Sequence, residues 1–174
     1  MCYNKYRMGG EETLERIYSY APVIEAHCTR LLLGTMPSVQ SLRDGFYYAH
    51  PRNAFWRILS ETFEEPLPRT IEEKKALLLR HDLALWDTAR SCVRKGSLDA
   101  DMREVELNDV RGLLKAYPGV TRVLLNGQEA ARLYRRGGGE TACALILPST
   151  SPAYTLPYEQ KLARWKAALK GEQS

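Results

Sequence analysis

Four short apolar runs punctuate the chain: TRLLLGT at 29–35, HDLALWD at 81–87, VTRVLLN at 120–126 and CALIL at 143–147. Each is continuous rather than alternating, which is the pattern of a strand covered on both faces. Helical signals lie between them. Asn53 opens a stretch with Phe55, Trp56 and Leu59 on related faces. Thr70 and Glu73 form a T-x-x-E capping box for a helix through about Leu79. Asn108 is placed to cap a helix that turns Val110, Leu113, Leu114 and Tyr117 inward and stops at Pro118-Gly119. Residues 127–136 are helical up to Gly137-Gly138-Gly139, and Pro157 to Lys170 carries Leu162, Trp165 and Leu169 on one face. Strand-helix alternation of this kind predicts an α/β fold: a three-layer α/β/α sandwich around a mostly parallel four-stranded sheet. The spacing reads as one domain over residues 1–174, with 1–20 a loosely ordered extension broken at Gly9-Gly10.

Composition narrows the function classes. A net charge of +4 and a pI near 8.9 permit a polyanionic partner without demanding one. No stretch reaches eighteen apolar residues and the first twelve carry no leader pattern, so the expectation is a cytoplasmic protein with no membrane partner. Cys2, Cys28, Cys92 and Cys143 show no C-x-x-C spacing. They read as reduced thiols, with no metal site and no cofactor. A monomer is expected.

Open α/β sheets bind ligands at the carboxyl ends of their strands. That directs attention to the loops after Thr35, Asp87 and Leu147. The first is the richest: residues 33–56 read LGTMPSVQSLRDGFYYAHPRNAFW. Gly34 allows a ligand close to the backbone, or simply a tight turn. Tyr47, Tyr48 and Phe55 can stack on a nucleobase or pack beneath the loop, and packing suits Trp56. Asn53 suits a helix start.

The elements G-T-M-P-S and Y-Y-A-H-P-R-N-A-F-W resemble the first motif of the mismatch-specific branch of the uracil-DNA glycosylase superfamily, and most of all its hypoxanthine-DNA glycosylase group. LWDTARSCVRKGSLD at 85–99 resembles that group's middle motif, VLLNGQEA at 123–130 its strand-turn-helix, and LPSTSPAY at 147–154 its second active-site motif. The resemblance runs in order over about residues 30–170. One position departs from the mismatch uracil enzymes: where they carry a water-positioning Asn before the Pro, this chain has Met36. The hypoxanthine group also lacks that Asn and uses one further along, which places the role on Asn53, the Asn of this loop.

The resemblance implies hydrolysis of the N-glycosidic bond of a flipped-out deaminated base, hypoxanthine or uracil, in single- or double-stranded DNA. It implies a role in base excision repair, and since no Lys in the motifs of the three loops suggests a Schiff base, a monofunctional enzyme is expected. Asn53 would hold the water. Gly34, Thr35, Met36, Tyr47, His50 and Phe55 would form the base site, with Phe55 as the stacking platform. Asp87, as an accepting carboxylate, would favour the N–H edge of a deaminated base over the acceptor edge of adenine or cytosine. Ser149, Thr150, Ser151 and Pro152, with Arg52, would contact the DNA backbone. Arg94, Lys95, Arg135 and Arg136 are further candidates for phosphate contacts, although a solvated surface role is the commoner fate of such residues. The residues leave open a hydrolase of free nucleosides or nucleotides, a non-catalytic binder of damaged DNA, and an α/β domain whose loop aromatics are core.

Overall fold

The computed structural model describes residues 15–171. In chain order its strands are β1 (Arg16–Tyr18), β2 (Arg30–Gly34), β3 (Leu83–Asp87), β4 (Ala89–Val93), β5 (Arg103–Leu107), β6 (Arg122–Asn126) and β7 (Ala144–Leu147). Its helices are α1 (Val39–Asp44), α2 (Phe55–Phe63), α3 (Ile71–Arg80), α4 (Val110–Ala116), α5 (Gln128–Arg136) and α6 (Tyr158–Lys170).

The four apolar runs form an all-parallel sheet in the order β3-β2-β6-β7. Burial explains the lack of polar alternation in β2, β3 and β6, whereas in the edge strand β7 Leu145 and Ile146 are exposed. Leu31 and Leu33 of β2 face one side, with Ala84, Val123 and Leu125, against Val110 of α4 and Ala131 and Tyr134 of α5. Leu32 faces the other, with Leu83, Leu85, Leu124 and Leu147, against α2, α3 and α6. Helices therefore cover both faces, as the three-layer expectation required. Leu31, Leu32 and Leu33 are fully buried, and each such side chain contributes roughly 1.5–3 kcal/mol.

The helix starts follow local chemistry. The capping box is present: Thr70 Oγ1 accepts from Glu73 N–H and Glu73 Oε2 from Thr70 N–H, both at 3.1 Å. The expected cap at Asn108 is corrected. Asp109 caps α4 by accepting from Gly112 N–H at 2.8 Å. The Asn108 amide instead donates to the carbonyls of Asp87 and Ala89 and to Ser19 Oγ.

A second, antiparallel sheet, β1-β4-β5, was not expected. Its strands read RIY, ARSCV and REVEL; β1 and β5 are partly to fully exposed, and the central β4 buries Ala89, Ser91 and Cys92. Ile17, Ala89, Cys92 and Val105 pack with Met36 and Leu133, so this sheet closes one end of the sandwich beside the first loop. The expectation of a loose extension over 1–20 divides. Residues 1–14 lie outside the described part, whereas Arg16–Tyr18 are paired in register with Ser91–Val93.

Candidate active site

The parallel strands all end on one side, and their last residues converge there. Gly34 ends β2 beside Asp87 of β3, Asn126 ends β6, and the chain beyond β7 brings Ser149 and Thr150. Between them lies a cleft of about 280 Å³. It is lined by Gly34, Thr35 and Asp87 at the strand ends, by Tyr48 and Asn53 of the first loop, by Ser97–Asp99, and by Ser149–Ser151 and Tyr154 of the last loop.

Gly34 is required by close approach. A Cβ there would sit 2.6 Å from both Asp87 Oδ1 and Tyr48 Oη. Tyr48 takes a positive φ of 53°, a conformation that few bulky residues adopt and that calls for a reason in the surrounding structure. It stacks on Phe55 with ring centroids 4.0 Å apart. Its hydroxyl is buried beside Asn126 and Asp87, without a partner at hydrogen-bond geometry among the described residues.

Asp87 is 3% exposed, and its Oδ2 has no hydrogen-bond partner among the described residues. Burial, reinforced by the neighbouring charge of Asp99 and only partly offset by Arg94, pushes its carboxyl up to about 8. Asp99 sits beside the Thr35 hydroxyl and 3.8 Å from the Arg94 guanidinium, and burial raises it too. Arg94 is itself buried. Its Nη2 donates to the Pro37 carbonyl at 2.5 Å, fastening the first loop from behind, which corrects its expected place on the surface.

Asn53 is half-buried at the cleft wall. Its Oδ1 accepts from Phe55 N–H at 3.0 Å and so starts α2. That bond fixes the amide orientation: Nδ2 is the group left for a ligand. The helix-start reading and a ligand-facing amide coexist in one side chain.

The last loop is closely tied down. Asn126 donates to Thr150 Oγ1 and accepts from Thr150 N–H, both at 2.9 Å. Thr150 O accepts from Ala54 N–H at 3.0 Å, joining the two loops. The buried Lys161 ammonium donates to the carbonyls of Ser151 and Tyr154 at 3.1 and 2.7 Å.

Residues 21–170 match the model of the uracil DNA glycosylase superfamily. The chain belongs to that superfamily, and is a DNA glycosylase. A hypoxanthine DNA glycosylase of Methanosarcina acetivorans is 32% identical over 155 residues, covering 87% of this chain and 96% of the relative. One of Methanosarcina barkeri is 31% identical with the same coverage. A solution NMR structure from Methanosarcina acetivorans, provisionally designated a uracil DNA glycosylase, superposes with a TM-score of 0.74 at 28% identity. It covers 90% of this chain and 98% of that one.

Within the glycosylase fold, the cleft gathers Gly34, Thr35, Met36, Tyr47, Asn53, Asp87 and Ser149 to Ser151. Others lie elsewhere. Phe55 is 1% exposed behind Tyr48, boxed by Trp56 and Trp165, so the ring on the cleft is that of Tyr48. Tyr47 is 2% exposed, with its hydroxyl donating to the carbonyl of Ala21. His50 and Arg52 line a neighbouring groove that shares Tyr48 and Asn53 with the cleft. His50 Nδ1 accepts from Arg52 N–H there. Pro152 is exposed outside the cleft. The Thr150 hydroxyl is engaged with Asn126, while Ser149 and Ser151 remain half-buried at the wall.

Sequence reasoning passed over Asp99 and Asn126 as site residues, and it chose Phe55 over Tyr48 as the stacking platform. Asn126 carried a signal, an Asn ending a buried strand just before a glycine of φ +95°. No group of three or more His, Cys, Asp or Glu side chains among the described residues is placed to hold a metal ion. No helix among them is long and apolar enough to cross a membrane.

Proposed function

We propose that this glycosylase hydrolyses the N-glycosidic bond of a flipped-out deaminated base in DNA, with hypoxanthine the leading substrate and uracil a second. The observation that carries the reading is the pairing, in one cleft at the strand ends, of the Asn53 amide with the unpartnered carboxyl of Asp87. The relatives named for hypoxanthine support the choice of base.

Cleavage passes through an oxocarbenium-like state, with negative charge moving onto the departing base. A strong base is not needed to prepare the water, because the sugar cation accepts a weak nucleophile. Asn53 suits that role, since its Nδ2 orients a water toward C1′ while its oxygen is held by the start of α2. Gly34 lets the base lie against the strand end, and Tyr48, braced by Phe55, is the stacking face. Asp87 reads the base edge. Ser149 and Ser151 on one side, and the groove of His50 and Arg52 on the other, take the DNA backbone.

The test uses duplexes bearing one hypoxanthine, uracil or xanthine, with and without alkali. The expected outcome is base release from hypoxanthine, strand breakage only after alkali, and about 100-fold slower release by Asn53→Ala, the scale for losing one positioned polar group. No release from any duplex sinks the enzymatic reading. Release from free deoxyinosine but not from DNA moves the activity to nucleosides.

A further inference from the structure

We propose that Asp87 meets the base as an uncharged carboxylic acid, donating its O–H to the lactam carbonyl of the base and accepting the adjacent ring N–H. This deepens the base-edge role given above and rests on it. It replaces the expectation of an accepting carboxylate.

The geometry leaves an ionised Asp87 without support. The side chain is 3% exposed and its Oδ2 has no hydrogen-bond partner among the described residues. Among the described residues the cation that acts on it is Arg94, which donates to the Pro37 carbonyl and stands 3.8 Å from Asp99, without an ion pair to Asp87. Asp99 adds a like charge. A buried carboxylate whose Oδ2 has no donor among the described residues and whose charge is only partly offset is costlier than a neutral acid. The same conclusion follows from the raised proton affinity of this group.

Neutrality also suits the chemistry. As the glycosidic bond breaks, the base gathers negative charge. A carboxylate facing it in a dry cleft repels that charge, whereas an O–H donor strengthens its hydrogen bond as the charge grows. Hypoxanthine and uracil each present a carbonyl beside a ring N–H, which a carboxylic acid matches with one donor and one acceptor. No proton needs to leave Asp87.

The groups that face Asp87 are Tyr20 from the segment before β2, Tyr47 and Tyr48 from the first loop, Asp99 and Arg94. Burial drives all three phenols upward, Tyr20 to about 12 and the others beyond, so they keep their protons through pH 9.

The experiment is single-turnover release of hypoxanthine from a duplex between pH 6 and 9.5, for the wild type, Asp87→Asn, Asp87→Leu and Asp99→Asn. The wild-type rate is expected to hold to about pH 8 and then fall towards tenfold per unit. Asparagine offers one donor and one acceptor without charge. Asp87→Asn should therefore stay within about 10-fold of wild type at pH 7 and lose the alkaline fall. Asp99→Asn should move the fall to lower pH by removing the repelling charge. A folded Asp87→Asn that loses 100-fold or more at pH 7, or that keeps the alkaline fall, overturns the proposal. Wild-type activity retained in Asp87→Leu removes the base-edge role itself. If no duplex is cleaved, the proposed activity fails, yet the neutral state is still tested. The difference infrared spectrum of wild type against Asp87→Asn at pH 7 must show a protonated-carboxyl band, and its absence overturns the proposal.

Discussion

Two sides of the cleft are built on opposite terms. On the side of the last loop, the buried polar groups are matched. Asn126 and Thr150 exchange two hydrogen bonds, Thr150 O takes Ala54 N–H, Lys161 holds two carbonyls, and Trp165 Nε1 donates to Pro148 O at 2.8 Å. Around the strand ends, Asp87 Oδ2 and Tyr48 Oη, and behind them two nitrogens of Arg94, have no hydrogen-bond partner among the described residues. Buried polar atoms are rarely left so, because each costs about 1–3 kcal/mol. The matched side is scaffold. The unmatched side has kept its capacity for a ligand, at a cost in stability.

Three substitutions break or sharpen that contrast. The largest effect is expected from Gly34→Ala. Its methyl would press on Asp87 and Tyr48 at once, so excision of hypoxanthine should fall by about 100-fold or more, since misplacing reactive groups by about an ångström costs that much. The loss should greatly exceed the fall in folded stability seen by denaturant melting, because the damage lands on the ligand side. Asn126→Ala attacks the scaffold side. It strips the partners from Thr150 N–H and Oγ1, and urea unfolding should show about 2–4 kcal/mol lost. A loss confined to activity would mean that the last loop is not held by this pair.

The smallest effect runs the other way. Asp87 keeps its proton in the folded chain up to about pH 8, whereas the unfolded chain gives it up near 3.8. Its contribution to stability is fully present below about pH 4 and is lost as pH rises through 8. Asp87→Asn removes that slope. It should therefore raise the melting temperature at pH 8 by a few degrees and change it little at pH 4. A variant that melts lower than wild type at pH 8 would show that the carboxyl stabilises the strand ends after all.

The contrast also marks what could be read in the sequence. The parallel sheet was legible because Leu31–Leu33, Leu83–Leu85 and Val123–Leu125 are buried on both faces and so cannot alternate. The small sheet was not. REVEL is partly to fully exposed, and ARSCV buries Ala89, Ser91 and Cys92 but carries a charge and a hydroxyl, so neither shows an apolar run. Helix α1, VQSLRD, is too short to show a period, and its Ser38 cap and Gly45 stop belong to a loop rich in such residues. In the site, Gly34, Asn53 and Asp87 were legible because strand ends and helix starts can be located from pattern. Which aromatic faces the cleft was not: adjacent rings in a loop are sorted by backbone conformation, and the positive φ of Tyr48 puts it in front of Phe55. The proton on Asp87 was hidden for the same reason. Nothing in the string LWDTAR says that the nearest guanidinium is committed to Pro37 and Asp99.

The hydrogen bond from Ala54 N–H to Thr150 O spans the two lips of the cleft. That stitch ties the two loops together and opposes a widening of the opening. The labour of separating a nucleotide from its neighbours then falls on the nucleic acid. Lesions in loose surroundings, such as a mismatched pair, a frayed end or a lone strand, should be taken up sooner than the same base in a firm duplex. Selectivity would thus have two sources, the chemistry at the bottom of the slot and the ease with which the double helix yields its occupant.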